Sequence, residues 1–404
     1  MKILIVSSYL PYPLFSGGHV RLYNIIKELA KYHEIVLVCE KRSHQMKEDI
    51  AQVEKFCKEV IVVERKKQWS ISNILKSGCS LYPFLITGHT QQVMQVKIKE
   101  LLEKNTFDII HVETFYVYQN LPKVTIPTVL VEHNIEYLVY KRFADNALFV
   151  LRPLLALDIA KMKYWEEKFW KSATRLVAVS EEEKMLMKRQ DVAVVPNGVD
   201  IERFKIDDLR FKISKKEKRI LFIGDFNWIQ NSDAATWLLR DIWPKITLNS
   251  QFSTFNIKLW IVGRNIPNSI RNLTKDPNVI FDENAPEETS DIFKNADILL
   301  APIRVGGGTS FKILEAMASG VAVVTTPLGH EGIQAKEGKE IIVGKDTNDF
   351  VKKIFSLLEN KKEYEILVKS ARQCIEKQYA WSTIVEKLEK VYKGAIKTYA
   401  EKHN

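Results

Sequence analysis

Three consecutive glycines, Gly306, Gly307 and Gly308, stand between an apolar stretch and a helical pattern that carries polar side chains. Glycine loses more conformational entropy on folding than other residues, so a run of three indicates a backbone that must approach a ligand closely. The side chains that follow are Thr309, Ser310, Lys312 and Glu315. A helix N-terminus, two hydroxyls and an ammonium can hold a phosphate, and the glutamate can accept hydrogen bonds from sugar or ribose hydroxyls. The ordinary alternatives are a solvated lysine and a glutamate that favours the helix dipole.

A second glycine turn, Gly17 and Gly18, lies between the apolar stretch 2–7 and a helix pattern that places apolar residues on one face. With the apolar stretch 34–39, this predicts a strand, helix, strand unit. Glycines in this position let a diphosphate approach the N–H groups at the positive end of the helix. Two glycines can also be no more than a turn.

Polar residues also follow other predicted strands. His133, Asn134 and Glu136 come after the stretch 128–132, and such strand ends line the crevice of a parallel sheet. His133 could hydrogen-bond or polarise a hydroxyl near neutral pH, although a lone histidine is often structural. Gly263 and Arg264 follow the stretch 257–262. Arg264 could pair with a phosphate or stack on a base, or it could be a surface arginine.

Other kinds of site are not indicated. We find no metal-ligand spacing, no Walker loop and no G-x-S-x-G turn, and the four cysteines are widely spaced. We therefore expect no metal, no cofactor and a reduced compartment. The formal net charge of +10 favours phosphate-bearing partners, but no nucleic-acid motif is present. No run of about 18 apolar residues predicts a membrane-spanning helix.

Both halves of the chain alternate between strand and helix patterns, which predicts two α/β sheets. The predicted strands of the first half are 2–7, 34–39, 60–63, 109–112, 128–132 and 175–180. Those of the second half are 220–224, 257–262, 279–282, 297–302, 321–325 and 341–343. A polar, basic stretch at 210–219 separates the halves. We expect a helix capped by Asn231 or Ser232 and running to position 241, and a mostly helical tail from 346 to 399.

At this point the chain resembles glycosyltransferase family 4, which has the GT-B fold. The stretches that carry the resemblance are the loop 16–21, 179–181, 195–200, 222–224, 261–263 and 315–320. The resemblance implies two Rossmann-like domains facing across a cleft, residues 1–205 for the acceptor and 206–375 for a nucleotide-sugar donor. It also implies that the last helix, within 376–404 and near Trp381, crosses back to the first domain.

The chain departs from the family pattern around the donor. The family often has two glutamates with seven residues between them, and with Glu315 as the second the first would fall at Gly307. The family's arginine and lysine after a Gly-Arg-Leu pattern are also missing, because Gly224 is followed by Asp225 and Asn231 stands near the lysine position. The chain resembles a subgroup with a Gly-x-Phe-x-Trp-x-x-Asn motif and a Gly-Gly-Gly-Thr-x-x-Lys loop, in which Lys312 would supply the missing charge.

The function implied is a retaining, metal-independent glycosyltransferase of cell-surface polysaccharide synthesis, acting on a glycan or lipid-linked acceptor. The catalytic residues would be His133 and Glu315, and the acceptor would contact Arg21, Asn134 and Glu136. The donor would contact Gly17, Gly18, Gly224, Gly263, Arg264, Gly306, Gly307, Gly308, Thr309, Ser310, Lys312 and Glu315. Two alternatives stay open, a sugar-nucleotide epimerase and an inactive donor-binding subunit. A nicotinamide dehydrogenase is disfavoured, since the first loop lacks G-x-G-x-x-G.

The segment 137–171 mixes aromatic, aliphatic and basic residues. Such a segment can lie on an anionic bilayer, which would add a peripheral position at the inner face of the plasma membrane to an otherwise cytoplasmic enzyme. It could equally be an ordinary buried helix face.

Overall fold

Alternating strands and helices build two separate parallel sheets. The computed structural model describes residues 1–14, 16–65, 67–145, 148–204, 217–249, 252, 255–284, 289–305 and 309–403. One unit comprises Met1–Pro196 with Ile384–Asn404, and the other comprises Asn197–Thr383. The sequence places the two boundaries after residues 205 and 375, whereas the units divide after residues 196 and 383.

Unit 1 contains a sheet of seven parallel strands in the order β3-β2-β1-β4-β5-β6-β7. The strands are β1 (Lys2–Ser7), β2 (Glu34–Lys41), β3 (Glu59–Glu64), β4 (Ile109–Glu113), β5 (Thr128–Val131), β6 (Arg175–Ala178) and β7 (Val192–Val194). The short strand β7 is absent from the sequence-based prediction. The central strands are apolar and buried, as a parallel sheet covered on both faces requires. The chain reverses direction across the sheet between β1 and β4, so the carboxyl ends of these strands open a crevice.

Eight helices surround this sheet within the described residues of the amino-terminal portion. They are α1 (Gly17–Leu29), α2 (Lys47–Glu54), α3 (Ile71–Cys79), α4 (Phe84–His89), α5 (Gln92–Lys104), α6 (Glu136–Asp145), α7 (Arg152–Ser172) and α8 (Glu181–Leu186). Helix α1 buries Leu22, Ile25, Ile26 and Leu29, which confirms its predicted apolar face. Short 3₁₀ turns occupy Phe115–Asn120 and Phe149–Leu151.

Unit 2 contains six parallel strands in the order β10-β9-β8-β11-β12-β13. They are β8 (Glu217–Ile223), β9 (Asn256–Val262), β10 (Val279–Asp282), β11 (Ile298–Ala301), β12 (Ala322–Thr325) and β13 (Ile342–Val343). The helices are α9 (Ile229–Trp237), α10 (Trp243–Leu248), α11 (Asn268–Arg271), α12 (Thr289–Lys294), α13 (Phe311–Ala318), α14 (Pro327–His330), α15 (Thr347–Glu359) and α16 (Lys361–Gln378), with a π-helical turn at Leu238–Ile242. The two parallel α/β sheets confirm the predicted fold class.

The start of α9 differs from the prediction. The helix begins at Ile229 and no side chain caps it, so neither Asn231 nor Ser232 is its N-cap. Both side chains instead bond back to the preceding loop. The Asn231 amide donates to the Asp225 carbonyl at 2.7 Å, and the Ser232 hydroxyl donates to the Phe226 carbonyl at 3.4 Å. The prediction was wrong because it considered only the capping preference of these residues. Their side chains instead satisfy backbone carbonyls of the preceding loop.

The last helix, α17 (Trp381–His403), returns to unit 1 as predicted. Its residue Tyr392 is fully buried there and contacts His111 of β4. Among the described residues, no helix combines the length and the apolar character that crossing a membrane would require.

Candidate active site

A chain of hydrogen bonds joins the last helix of unit 1 to the histidine that follows β5. The Tyr392 hydroxyl lies 2.6 Å from Nδ1 of His111, and Nε2 of His111 lies 2.6 Å from Oε2 of Glu113. The other carboxylate oxygen, Oε1, lies 2.5 Å from Nε2 of His133. A carboxylate can only accept, so both histidines donate from Nε2 and the tyrosine donates to Nδ1 of His111.

The Glu113 carboxylate is ionised although it is fully buried. Burial alone would raise its pKa, but the charge and hydrogen bonds of His133, together with those of His111, outweigh it and hold the pKa of Glu113 well below its usual range. His133 is the member of this chain that reaches the surface, since its side chain is 16% exposed while that of Glu113 is 0% exposed. A positive charge arising on His133 is therefore stabilised from behind by a fixed negative charge.

The free edge of His133 faces the first turn of α1. A Cβ added to Gly18 would lie 3.4 Å from Nδ1 of His133 and 3.2 Å from the Tyr9 hydroxyl. That hydroxyl donates to the Gly18 carbonyl at 3.2 Å. Glycine therefore keeps space open beside Nδ1, which can accept a hydrogen bond because Nε2 already carries the proton. Gly17 and Gly18 are the first two residues of α1, so the positive end of the helix also points here.

Three residues predicted to bind the acceptor have different environments. Arg21 is only 1% exposed and donates to the carbonyls of Val195 and Pro196, both at 2.8 Å. The structure thus places Arg21 in the interior, where it ties α1 to the segment after β7. Asn134 is exposed beside His133. Glu136 begins α6, and burial raises its pKa to about 7.

In unit 2, Lys312 lies in the first turn of α13 with its ammonium turned inward. Its Nζ donates to Oδ1 of Asn231 at 2.8 Å and lies 5.4 Å from the centre of the Phe222 ring. Burial lowers the pKa of Lys312 to about 8. No carboxylate of the described residues forms an ion pair with it, so a half-buried cation is held here by a neutral amide. An anion would stabilise this arrangement.

Two of the glycines predicted to bind the donor, Gly224 and Gly263, allow close packing of two strand ends. A Cβ on Gly224 would lie 2.6 Å from the side chain of Asn231, and a Cβ on Gly263 would lie 1.9 Å from the Gly224 carbonyl oxygen. These two strand ends pack backbone to backbone, which brings Asn231 toward Lys312. Arg264 stays 61% exposed, with Nη2 at 3.5 Å from the Asp225 carboxylate. The guanidinium of Arg264 is therefore accessible to a ligand near the end of β9.

The remaining predicted donor residues surround the start of α13. Burial raises the pKa of Glu315 to about 7, opposed by the charge of Arg203 and a hydrogen bond with Thr289. At neutral pH the Glu315 side chain can therefore both donate and accept. Thr309 is buried and donates to the Gly332 carbonyl, and Ser310 is the N-cap without a capping bond from its side chain. Gly306, Gly307 and Gly308 lie outside the described residues.

Four residues of this site were not predicted from the sequence: Tyr9, His111, Glu113 and Tyr392. One local signal was present, because His111 and Glu113 alternate within the otherwise apolar strand β4 and so point to the same face. Polar residues in a buried parallel strand require partners. Those partners come from β5 and from a helix 281 residues away, which spacing alone does not reveal.

Comparisons with known proteins match most of the chain to two glycosyltransferase family models. Residues 15–203 match the family model described as Glycosyltransferase Family 4, and residues 217–360 match the model described as Glycosyl transferases group 1. An uncharacterised 44.6 kDa protein in the cps region of Klebsiella pneumoniae is 24% identical over 373 residues, 89% of this chain and 91% of that protein.

Two solved structures show the same fold at low identity. Sucrose-phosphate synthase from Thermosynechococcus elongatus aligns with a TM-score of 0.72 and 14% identity, over 98% of this chain and 99% of that one. Anabaena HepE, in complex with UDP and glucose, aligns with a TM-score of 0.63 and 13% identity, over 98% of this chain and 100% of that one.

Replacing Lys312 tests the anion site of unit 2. Lys312→Met should weaken binding of a nucleoside-diphosphate sugar at least tenfold, about 1.4 kcal/mol, because the half-buried positive charge is lost. Wild-type affinity should fall as the pH rises through about 8, where Lys312 loses its proton, and this step should be missing in the variant. Titration calorimetry between about pH 6.5 and 9.5 measures both effects.

Lys361→Met is the matched control for that experiment. It removes a lysine that is 70% exposed at the start of α16 in the same unit, and it should bind the donor normally. Glu315→Ala should also weaken donor binding at least tenfold. Unchanged affinity and an unchanged pH step in Lys312→Met would show that this lysine does not contact the donor.

Replacing His133 tests the hydrogen-bonded chain of unit 1. His133→Ala should lower kcat at least about tenfold with little change in donor Kd, since it removes a group that acts on the reacting hydroxyl. Glu113→Gln should lower kcat too, because it removes the charge behind the histidine. Steady-state kinetics with independent donor titration separates the two quantities.

His33→Ala provides the control. It removes another histidine–glutamate pair of the same unit, with Nε2 at 2.7 Å from Oε1 of Glu389, near the amino end of β2. Its turnover should match wild type. Equal losses of kcat in His33→Ala and His133→Ala would assign His133 a purely structural role.

Proposed function

Because this chain is a glycosyltransferase of the GT-B fold, we propose that it moves a sugar from a nucleoside-diphosphate sugar to a glycan or lipid-linked acceptor in cell-surface polysaccharide synthesis. We further propose that transfer needs no metal ion and retains the anomeric configuration. The observation that carries the proposal is the ammonium of Lys312, a half-buried residue in the first turn of α13, which donates to the amide oxygen of Asn231. The cps-region location of the Klebsiella relative supports the polysaccharide context.

The donor diphosphate provides the counter-charge that Lys312 lacks among the described residues. In the free protein this ammonium is desolvated, and its pKa is lowered accordingly. A diphosphate placed against it gains a charge-assisted contact, and the contact strengthens as the leaving group becomes more negative. The complex of HepE with UDP and glucose makes uridine nucleotides the first donors to test.

His133 is proposed to orient the accepting hydroxyl. Its Nδ1 accepts the hydroxyl hydrogen bond, while Glu113 holds the ring from the opposite side. The hydroxyl oxygen then bonds to the anomeric carbon, the bond from that carbon to the diphosphate breaks, and the electron pair leaves with the diphosphate. The hydroxyl proton passes to Nδ1 of His133, and the charge of Glu113 stabilises the imidazolium that forms. Glu113 is fully buried behind His133, so it is not a nucleophile for the sugar, and the family resemblance supports retention.

A screen of nucleotide sugars tests the proposal directly. One of them should raise the melting temperature, since a ligand that binds only the folded state stabilises it. With that donor and membrane-derived acceptors, transfer should proceed unchanged in excess EDTA, and proton NMR of the product should show the donor's anomeric configuration. An inverted product would refute retention, and activity lost in EDTA but restored by magnesium or manganese would refute metal independence. Donor binding without transfer to any acceptor would favour an inactive binding subunit.

An exposed apolar surface supports a second part of the proposal, the approach to a membrane. Helix α7 divides in two, because Met162, Phe169 and Trp170 pack into the core while its amino-terminal half is exposed. The ordinary alternative, a buried helix face, thus describes only the carboxy-terminal half of this helix. The apolar residues of this surface, each between 59% and 82% exposed, are Ile71, Leu75, Leu81, Phe149, Leu154 and Leu157.

The helices that carry these residues are joined to one another. Lys161 of α7 donates to the carbonyls of Ser77 and Ser80 at the end of α3, at 3.0 and 2.7 Å. Trp165 donates to the Leu81 carbonyl at 2.9 Å. The exposed lysines Lys141 and Lys163 lie on the same pair of helices, α6 and α7. Apolar side chains beside lysines fit an anionic bilayer, which would place the enzyme at the inner face of the plasma membrane.

Liposome flotation checks this surface. The wild-type chain should float with anionic but not neutral vesicles, and salt should weaken the association. Phe149→Asp with Leu154→Asp should abolish flotation, whereas Leu248→Asp with Ile366→Asp, which alters exposed apolar residues of unit 2, should not. No flotation of the wild type at low salt would leave the enzyme without a membrane partner.

A further inference from the structure

Two arginines stand side by side at the carboxyl edge of the unit 1 sheet. Lys41, the last residue of β2, pairs in register with Glu64, the last residue of β3. Arg42 and Arg65 are the residues that directly follow the two strands. The backbone N–H of Arg65 donates to the Lys41 carbonyl at 2.8 Å. The register therefore fixes two guanidinium groups next to each other at the edge where the crevice opens.

The Arg65 guanidinium is held in place by buried groups. Its Nη2 donates to Nε2 of His89 at 3.2 Å, and Nδ1 of His89 in turn donates to Oε2 of Glu40 at 2.8 Å. Gln91 donates to the other Glu40 oxygen at 2.8 Å. Glu40 and His89 are 1% exposed, so this support is rigid. A solvated surface arginine would have no such support.

Most donors of the two guanidinium groups remain without protein acceptors in the described part of the chain. Nε of Arg65 lies 3.9 Å from the Glu40 carboxylate, which is too long for a hydrogen bond. Arg42 forms no ion pair with any described carboxylate, and partial burial together with the charge of Arg65 lowers its pKa. Two cations kept together without a full counter-charge raise the free energy of the empty protein.

A further basic side chain connects this edge to His133. The pKa of His19, in the first turn of α1, is lowered to about 4, first by burial and then by the charges of Arg42, His44 and His133. These groups therefore share one electrostatic environment along the carboxyl ends of the strands. An anion bound there would relieve the repulsion.

We propose that Arg42 and Arg65 bind a phosphoryl group of the acceptor, so that the acceptor is a phosphate-bearing sugar or lipid-linked sugar. The inference rests on the proposed function and specifies its substrate class. Two guanidinium forks offer many N–H donors, which suits the several oxygens and the double charge of a phosphoryl group better than a single carboxylate.

The sheet also sets the size of the acceptor. β2 and β5, which precede Arg42 and His133, are separated by three strand spacings in the order β2-β1-β4-β5. At about 4.8 Å per spacing this is about 14 Å. The phosphoryl group and the accepting hydroxyl are thus separated by more than one sugar ring.

Calorimetric titration with inorganic pyrophosphate tests the site, using the full chain with its donor site saturated by the donor's nucleoside diphosphate. The wild type should bind pyrophosphate, and Arg42→Gln with Arg65→Gln should weaken that binding at least tenfold. Lys55→Gln with Lys58→Gln removes the same charge near the amino end of β3 and should bind as wild type does. If the double arginine variant fails to fold, Arg42→Gln alone, which alters an exposed side chain, carries the test.

Kinetics and further probes complete the experiment. The arginine variants should raise the acceptor KM at least tenfold while kcat and donor Kd stay unchanged. Farnesyl diphosphate binding more tightly than pyrophosphate would identify a lipid-linked source, and equal binding a soluble one; both support the site. Glucuronate binding as tightly as pyrophosphate, or arginine variants with wild-type pyrophosphate affinity, would overturn it. If only the phosphoryl site is wrong, transfer from the donor is still observed. If the proposed function is wrong, neither donor binding nor transfer is observed.

Discussion

The Glu113 carboxylate, fully buried and bonded to an imidazole on each side, organises the amino-terminal unit. It can remain ionised only because His133 and His111 donate to it, and each histidine is fixed in return. His111 also holds Tyr392 of the last helix, so the return of that helix to unit 1 and the orientation of His133 depend on the same carboxylate. Removing one partner would leave an uncompensated charge in the core. This coupling explains why a helix from the end of the chain completes a site near its beginning.

Both units carry their candidate site residues at the same topological position, and the residues differ in chemistry. In each sheet the strand order reverses beside the first strand, and the carboxyl ends there carry the polar residues. Unit 1 surrounds its edge with a fixed carboxylate, a histidine and two arginines. Unit 2 carries a lysine of α13, Lys312, beside the amide of Asn231, and Gly224 and Gly263 let the neighbouring strand ends pack closely. Asn231 stands near the position where the family pattern has a lysine, and the ammonium of Lys312 contacts it.

Much of the fold and part of the candidate site could be predicted from the sequence. The rest could not, and the reasons are physical. Apolar runs and glycine turns predicted both parallel sheets, because burial on two faces leaves an unmistakable pattern. His133 and Lys312 were identified as candidates because they follow a strand end and a glycine turn. Arg21 was predicted from the family resemblance to contact the acceptor, and the structure buries it against backbone carbonyls that lie about 175 residues away in the sequence. The partners of His133 and Arg65 were missed because they depend on contacts between distant segments, which local spacing does not encode.

Glu113 holds His133 with its proton on Nε2, which leaves Nδ1 free to accept a hydrogen bond. Nitrogen-15 NMR of the histidine rings in the full chain distinguishes a protonated from an unprotonated ring nitrogen. We expect His133 to be the Nε2–H tautomer in the wild type and this preference to be lost in Glu113→Gln. A proton on Nδ1 of His133, or a tautomer unaffected by the Glu113 substitution, would contradict this expectation.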